Sequence, residues 1–356
     1  MAIHRINSNK DATISSKPFL SGVGIYKNEG KDEVLEIGEY EDELLERREK
    51  RILINFPQQE ILNILANITS SYSATLNLKH CWVRGEVYPR VFQISSISGS
   101  WTEGTGKKYN PVGVYGSTSQ ERWEEQGIQS TTGVTWVSRT GAADELWNTP
   151  GGDFHSSSVT SIYPVSEDEL DFSINITSLL SGSLDGFLIQ LQDTGSMDSY
   201  LHSFYGRNTH TIYEPYLEIG WRDQEWVTDR PSLPSSKDFS ISLTPQLSTL
   251  YPDQEQTLYL NPRVKYPVRT FSTSSLYLQK YTLPSSSMWR IVEDETGVPL
   301  IDFHSEYTLV HSNENGNYMK FNTNILSPER YYRVEVKVEE GGVSKIVDTQ
   351  TPFKLR

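Results

Sequence analysis

Two carboxylates are the residues best suited to chemistry. Glu103, in Trp101-Thr102-Glu103-Gly104-Thr105-Gly106, and Asp171 are the pair a glycosidase would need. One would protonate the leaving oxygen and the other would attack the sugar or activate water. The competing reading is structural, with Trp101 packed beneath a glycine-rich turn that Glu103 hydrogen-bonds. Carboxylates are common and no spacing rule selects these two, so the sequence predicts no catalysis.

Aromatic rings offer a second kind of site. Trp101, Trp136 and Tyr163 could stack on sugars, and Trp123, Trp136 and Trp147 could anchor a long loop region against a partner. Each tryptophan is equally able to pin its own loop to the core. Seven histidines, His4, His80, His155, His202, His210, His304 and His311, form neither His-x-x-x-His nor His-Glu-x-x-His, so no zinc site and no cofactor is expected. His202 and His210 flank a hairpin-like segment and are candidates to approach one another. His311-Ser312-Asn313-Glu314-Asn315-Gly316 has one acid and no bidentate glutamate, which favours a plain hairpin turn over a calcium loop. Cys81, the single cysteine, lies in an apolar-patterned stretch and reads as a buried strand position. There is no Gly-x-Ser-x-Gly elbow and no phosphate loop.

The elements that must position these residues are short strands broken by Gly, Ser, Pro, Asn and Asp. Runs such as Arg51–Phe56, Ser73–Leu78, Arg90–Ile94, Leu170–Ile174, Phe187–Leu191 and Tyr216–Trp221 fit a β-sandwich. Gln58–Leu65 reads as a helix with Ile61, Leu62, Ile64 and Leu65 on one face, and a second turn is expected at Ile176–Leu180. Residues 29–50 carry ten acids and read as a solvated loop. The stretch from Ser95 to Gly152 is glycine-rich, and a connection of that length suggests contact with a partner. Beyond a break at Arg230-Pro231-Ser232-Leu233-Pro234 lie about seven further strands, with Asn313–Asn317 and Glu340-Gly341-Gly342 as hairpin turns. The predicted fold is all-β: an N-terminal jelly-roll-like β-sandwich and a smaller immunoglobulin-like β-sandwich. Residues 1–10 would form an arm, 11–223 the first domain, 224–237 a linker and 238–356 the second domain.

A formal charge of −14 disfavours a nucleic-acid backbone or an anionic membrane as partner. The first residues contain no apolar segment of the kind a secretory signal has, and no run is long enough to span a bilayer. The aromatic share is 11%, including 20 Tyr and 8 Trp, which suits strand surfaces and interfaces.

Residues 11–223 resemble the DNRLRE-type modules, β-sandwiches related to carbohydrate-binding folds. The features that carry the likeness come in order: Asp11–Ile14, Glu33–Gly38, Arg51–Phe56, Ala74–Leu78, Gly99–Gly104, Asp171–Thr177, Gly186–Ile189 and Tyr213–Ile219. Together with Lys265–Phe271 and Glu329–Val334, the arrangement is similar to structural proteins of contractile-tailed phages of marine cyanobacteria. Asp171 stands near where relatives often have Trp, which weakens an inherited sugar site. The resemblance implies a virion component and supplies no catalytic residue. The expected function is a non-enzymatic virion structural protein on the head, neck or tail, made in the host cytoplasm. Its expected partners are other virion proteins and copies of itself, with no nucleic acid and no membrane. The alternative is a module that binds host-surface polysaccharide.

Overall fold

A computed structural model describes residues 3–16, 28–41, 47–84, 89–107, 133–142, 144–164, 170–180, 185–192, 200–227, 230–233, 238–246, 248–266, 280–340 and 343–356. The chain is all-β and divides into two compact units. One comprises Ile6–Asn67 and Ser73–Glu218; the other comprises Met1–Arg5, Ile68–Tyr72 and Ile219–Arg356.

Along the chain up to the second unit's own strands come β1 (Ile3–Asn7), β2 (Lys10–Ser15), β3 (Val34–Glu41), β4 (Arg47–Asn55), helix α1 (Gln58–Asn67), β5 (Tyr72–Leu78), β6 (His80–Arg84), β7 (Arg90–Ile97), β8 (Phe154–Tyr163), β9 (Phe172–Asn175), β10 (Phe187–Leu191), β11 (Tyr200–Tyr205) and β12 (Tyr216–Trp221), all in the first unit except the start of β1, the first residue of β5 and the end of β12. The larger sheet runs β6-β11-β3-β4-β10-β7-β8, with β2 also on β4; the smaller runs β1-β12-β5-β9. Phe92 of β7 packs on Phe172 of β9 at 5.9 Å, and Phe172 packs on Phe204 of β11 at 5.9 Å, so aromatic rings join the two sheets. The run Ile52-Leu53-Ile54 breaks period-two alternation because all three residues are buried. Ile52 and Ile54 face the core, whereas Leu53 faces outward and is covered by the tryptophan loops.

Several expectations need correction. The described residues 3–10 are not an arm, since they include β1 and the start of β2, and Ile3, part of the second unit, lies in that unit's core. The acidic stretch 29–50 is not a solvated loop either, because it supplies β3 and part of β4. Its Glu29 and Glu36 flank the buried Lys50 ammonium, Glu29 at 3.7 Å and Glu36 in direct contact. Burial pushes that ammonium down, but the two carboxylates outweigh it and hold Lys50 above the usual lysine range. Helix α1 forms as the pattern predicts, yet Ile61 is buried and Leu62 is exposed. At 100° per residue, Leu62 lies at the margin of the face that Ile61 centres.

The second unit contains β13 (Phe239–Thr244), β14 (Thr249–Leu250), β15 (Glu255–Val264), β16 (Met288–Glu293), β17 (Pro299–Ile301), β18 (His311–Asn313), β19 (Gly316–Asn322), β20 (Tyr331–Glu340), β21 (Val343–Asp348) and β22 (Phe353–Leu355). That is ten strands among the described residues, where about seven were expected. Sheets β13-β15-β19-β18 and β14-β22-β20-β16-β17, the latter with β21 on β20, enclose one core that includes Trp289, Ile291, Val334, Met319 and Phe321. The hairpin at Asn313–Asn317 forms as expected.

The described part of the expected linker 224–237 belongs to this unit. Trp226 bridges Ser312, Ser232 bridges Thr282, and Leu233 is buried in the core. His311 fixes the start of the segment. Its Nδ1 accepts the backbone N–H of Glu225 at 3.2 Å, and its Nε2 faces Asp223 Oδ1 at 3.4 Å. An imidazole that accepts at Nδ1 carries its proton on Nε2, so it is neutral here. The boundary therefore shifts into β12, between Glu218 and Ile219, because side chains after β12 find their partners in the second sandwich.

Candidate functional site

The tryptophan loops form a packed layer on the outer face of the larger sheet. Trp101 and Trp147, each 4% exposed, join Val134, Ala12, Ile14, Leu53, Ile97 and Leu188 in one cluster. Trp101 donates its indole N–H to Asp185 O at 2.9 Å and carries the Lys10 ammonium 4.4 Å above its ring. Trp147 donates to Thr135 O at 3.1 Å. Burial removes Trp147 as a surface anchor, and Trp101 and Tyr163 (3% exposed) as sugar platforms. Trp136 is half-buried with the Arg51 guanidinium 4.8 Å from its ring. Trp123 lies outside the described residues.

Glu103 is a tie between elements. One carboxylate oxygen accepts the Lys31 ammonium at 2.5 Å; the other accepts the Asp11 backbone N–H at 3.3 Å and faces Arg207 at 3.5 Å. Asn28 holds the same turn from beneath, donating to Glu103 O at 2.7 Å and Val134 O at 2.8 Å while accepting the Gly106 N–H at 2.8 Å. Gly30 is required because a Cβ there would stand 1.9 Å from Glu103 O.

Asp11, beside Glu103, is 1% exposed and accepts the Arg207 backbone N–H at 2.6 Å. Burial pushes its carboxyl up to about 7; the Arg207 N–H opposes this and the Glu103 charge adds to it. A buried carboxyl beside a second carboxyl group is raw material for acid–base catalysis. Here one is sealed from solvent and the other is held by two cations, an arrangement suited to locking loops. Asp171 sits in a different cluster, accepting the Lys79 ammonium at 2.5 Å and the His80 backbone N–H at 3.0 Å. The structure gives Glu103 and Asp171 separate sets of partners.

His202 is fully buried and meets His80 rather than His210: the two rings lie 5.8 Å apart, edge to face. His210 is exposed near Glu33. Tyr163 OH donates to Leu170 O and stands 3.4 Å from His202 Nδ1, which fixes the proton of the neutral imidazole on Nδ1. Burial, with a smaller effect from His80, pushes His202 down to about 4. Nε2 of His202 and the Tyr200 hydroxyl are buried without a hydrogen-bond partner among the described residues.

One open feature remains on the outer face of the larger sheet. Two residues along from Leu53 and Leu188, the same face carries Arg51, which donates to Gly151 O at 2.9 Å at the margin of the tryptophan loops, and Gln190. A cleft of about 420 Å³ opens there, lined by Glu39, Glu49, Arg51, Gln93, Gln190 and Gln192. Glu49 grips Arg51 through two hydrogen bonds of 2.6 and 3.0 Å, and Gln190 donates to Gln93 at 3.0 Å. Its volume lies within the range of roughly 300–1,000 Å³ for small-molecule sites, but its lining is polar.

No family model and no curated protein matches the chain. Among solved structures, a DUF4785 family protein from Legionella pneumophila aligns over 91% of this chain at 9% identity and a TM-score of 0.18. The chain spans 62% of that protein's length. A score this low carries no argument about fold or function. Among the described residues, no helix is long and apolar enough to cross a membrane, and no three His, Cys, Asp or Glu side chains gather as metal ligands.

Sequence reasoning missed Asp11, Asn28 and His202 as organising residues. Asp11 stands in Lys10–Ser15, where Ala12 and Ile14 alternate with polar residues, so the pattern places it on a polar face and its burial carries no signal along the chain. His202 sits in Tyr200-Leu201-His202-Ser203-Phe204-Tyr205, whose two faces are both buried, so its alternation is masked.

Proposed function

We propose that the protein is a non-enzymatic virion structural protein that assembles through contacts with other virion proteins and with copies of itself. One observation carries this reading. Of the described candidates, Glu103, Asp171, Trp101, Trp147 and Tyr163 are engaged in holding the fold together, and the half-buried Trp136 lies against Arg51. What faces solvent instead includes scattered large apolar groups such as Trp82, Ile162, Tyr266 and Tyr331 on an acidic, rigid β framework. The likeness of the two-domain arrangement to structural proteins of tailed phages supports the phage setting. Quantitative mass spectrometry of purified particles tests it: the chain should be present at many copies per particle, and its absence would reject the virion role.

The outer-face cleft favours a second reading, recognition of a host-surface polysaccharide. Amide, carboxylate and guanidinium groups side by side offer the alternating donors and acceptors that vicinal hydroxyls need. Calorimetric titration with host polysaccharide decides it. Saturable binding that is lost in the Gln93→Ala/Gln190→Ala variant supports this reading; heat that never saturates removes it.

A further inference from the structure

We infer that β8 is a self-pairing edge through which two copies of the chain join their larger sheets across a two-fold axis. The inference builds on the reading of the protein as one that assembles through protein contacts, and it names the surface and the partner. Among the described residues β8 ends the larger sheet, and at ten residues it is the longest strand at any sheet edge. The directions of its backbone groups follow from the neighbouring ladder. Val91 O of β7 accepts the Gln192 N–H at 2.8 Å, so Val91 and Gln93 turn their polar groups toward β10. Phe92 and Ile94 then bond toward β8, where they stand opposite Ser161 and Val159. Ser158, Thr160 and Ile162 are left with N–H and C=O groups directed at the open edge, where among the described residues the Ile162 carbonyl meets the Ser161 hydroxyl at a long 3.5 Å.

Natural edges of this length are usually blunted by Lys, Pro or inward charges. From Phe154 to Tyr163 the sequence is Phe-His-Ser-Ser-Ser-Val-Thr-Ser-Ile-Tyr, without Asp, Glu, Lys, Arg or Pro. A bulge does interrupt the ladder: Phe154 to Ser158 spans four steps opposite the two from Ser95 to Ile97. The regular part is therefore Ser158–Tyr163. A two-fold axis through Thr160 pairs Thr160 with its own copy and Ser158 with Ile162 in both directions, all on one face. Three such pairs make six backbone hydrogen bonds, within the span of about ten plus or minus five that protein interfaces carry. The pairing also covers Ile162, which is 61% exposed. The two-fold register selects a copy of the chain as occupant, because the same uncharged stretch supplies both partners of every pair. Two chains of −14 repel at long range, but this stretch brings no like charges together at contact.

Sedimentation of the full chain over a concentration series tests the inference. Thr160→Pro removes one outward N–H and no intramolecular bond, an acceptable change at an edge, and Ile162→Lys places a charge beside the axis. The parent should form dimers that tighten as salt screens the net charge, and each variant should dimerise at least about tenfold more weakly with an unchanged melting temperature. In a Cys81→Ser background, Thr160→Cys should yield a covalent dimer on oxidation, because the paired Cα atoms would lie about 5.5 Å apart. A monomer throughout the series, or self-association indifferent to both variants, overturns the inference. A monomer in solution that is nonetheless abundant in particles leaves the structural reading standing. Dimers of a chain absent from particles do the reverse.

Discussion

Asp11 and His202 should give the first sandwich two pH dependences of opposite sign that mask each other. Asp11 is held at about 7, against an ordinary value of 3.8, mainly by burial. The folded state therefore binds its proton more tightly than the unfolded chain does. Its contribution is fully present below pH 3.8 and is lost as pH rises to about 7. At 1.36 kcal/mol for each pH unit of difference, the loss is about 4 kcal/mol. His202 is held at about 4, against 6.5, so the folded state refuses its proton. Its contribution is present above pH 6.5 and is lost as pH falls to about 4, a change of about 3 kcal/mol. Across the shared window the two slopes nearly cancel in the parent. Asp11→Asn should gain stability relative to the parent as pH rises from 4 to 7, and His202→Gln should gain relative to the parent as pH falls from 6.5 to 4. Urea titrations at half-unit steps, read by tryptophan fluorescence, measure both, and taking each variant against the parent cancels the background of other groups. Differences that stay flat with pH, or slopes of the same sign, would refute the assignment of these two groups as buried with their charged forms disfavoured.

Other variants probe separate parts of the fold. Trp147→Ala should cost about 3–5 kcal/mol in chemical denaturation, since its ring fills the layer between the loops and the larger sheet; a loss below 1 kcal/mol would mean that the layer is not a core. Gly30→Ala should cost about 1–3 kcal/mol by forcing Glu103 O away, and the parent's stability in this variant would contradict the close approach. His311→Phe keeps an aromatic ring beside Tyr318 but leaves the Glu225 N–H without its acceptor, a cost of about 1–3 kcal/mol. Limited trypsin digestion should then cut faster after Arg222; an unchanged rate would count against the clamp.

The sandwiches were legible because their strands carry period-two alternation bounded by turn residues. β5, with Ala74, Leu76 and Leu78 buried in alternation, reads directly from sequence, as does the Asn313–Asn317 hairpin. The misplaced linker shows what alternation cannot report. Asp223, Glu225 and Leu233 look like loop composition, and only the folded partner, with His311 and Thr282 in reach, makes them part of a sandwich. The acidic stretch failed for a related reason. Glu29 and Glu36 balance Lys50, a pairing set by strand order and invisible along the chain. Among the site residues, Glu103 reads from sequence as bonding its own turn but instead ties that turn to Lys31, Asp11 and Arg207, and Trp147 reads as a surface anchor although it pins its loop inward. β8 went unread because serine gives a weak strand signal.

The central claim, that this protein works by packing against other proteins, is tested most directly by cross-linking mass spectrometry on intact, purified particles. Links should run from exposed lysines such as Lys79, Lys107 and Lys345 to other virion proteins or to second copies of the chain. Particles that lack the chain, or a chain that yields only links within itself, would contradict the account.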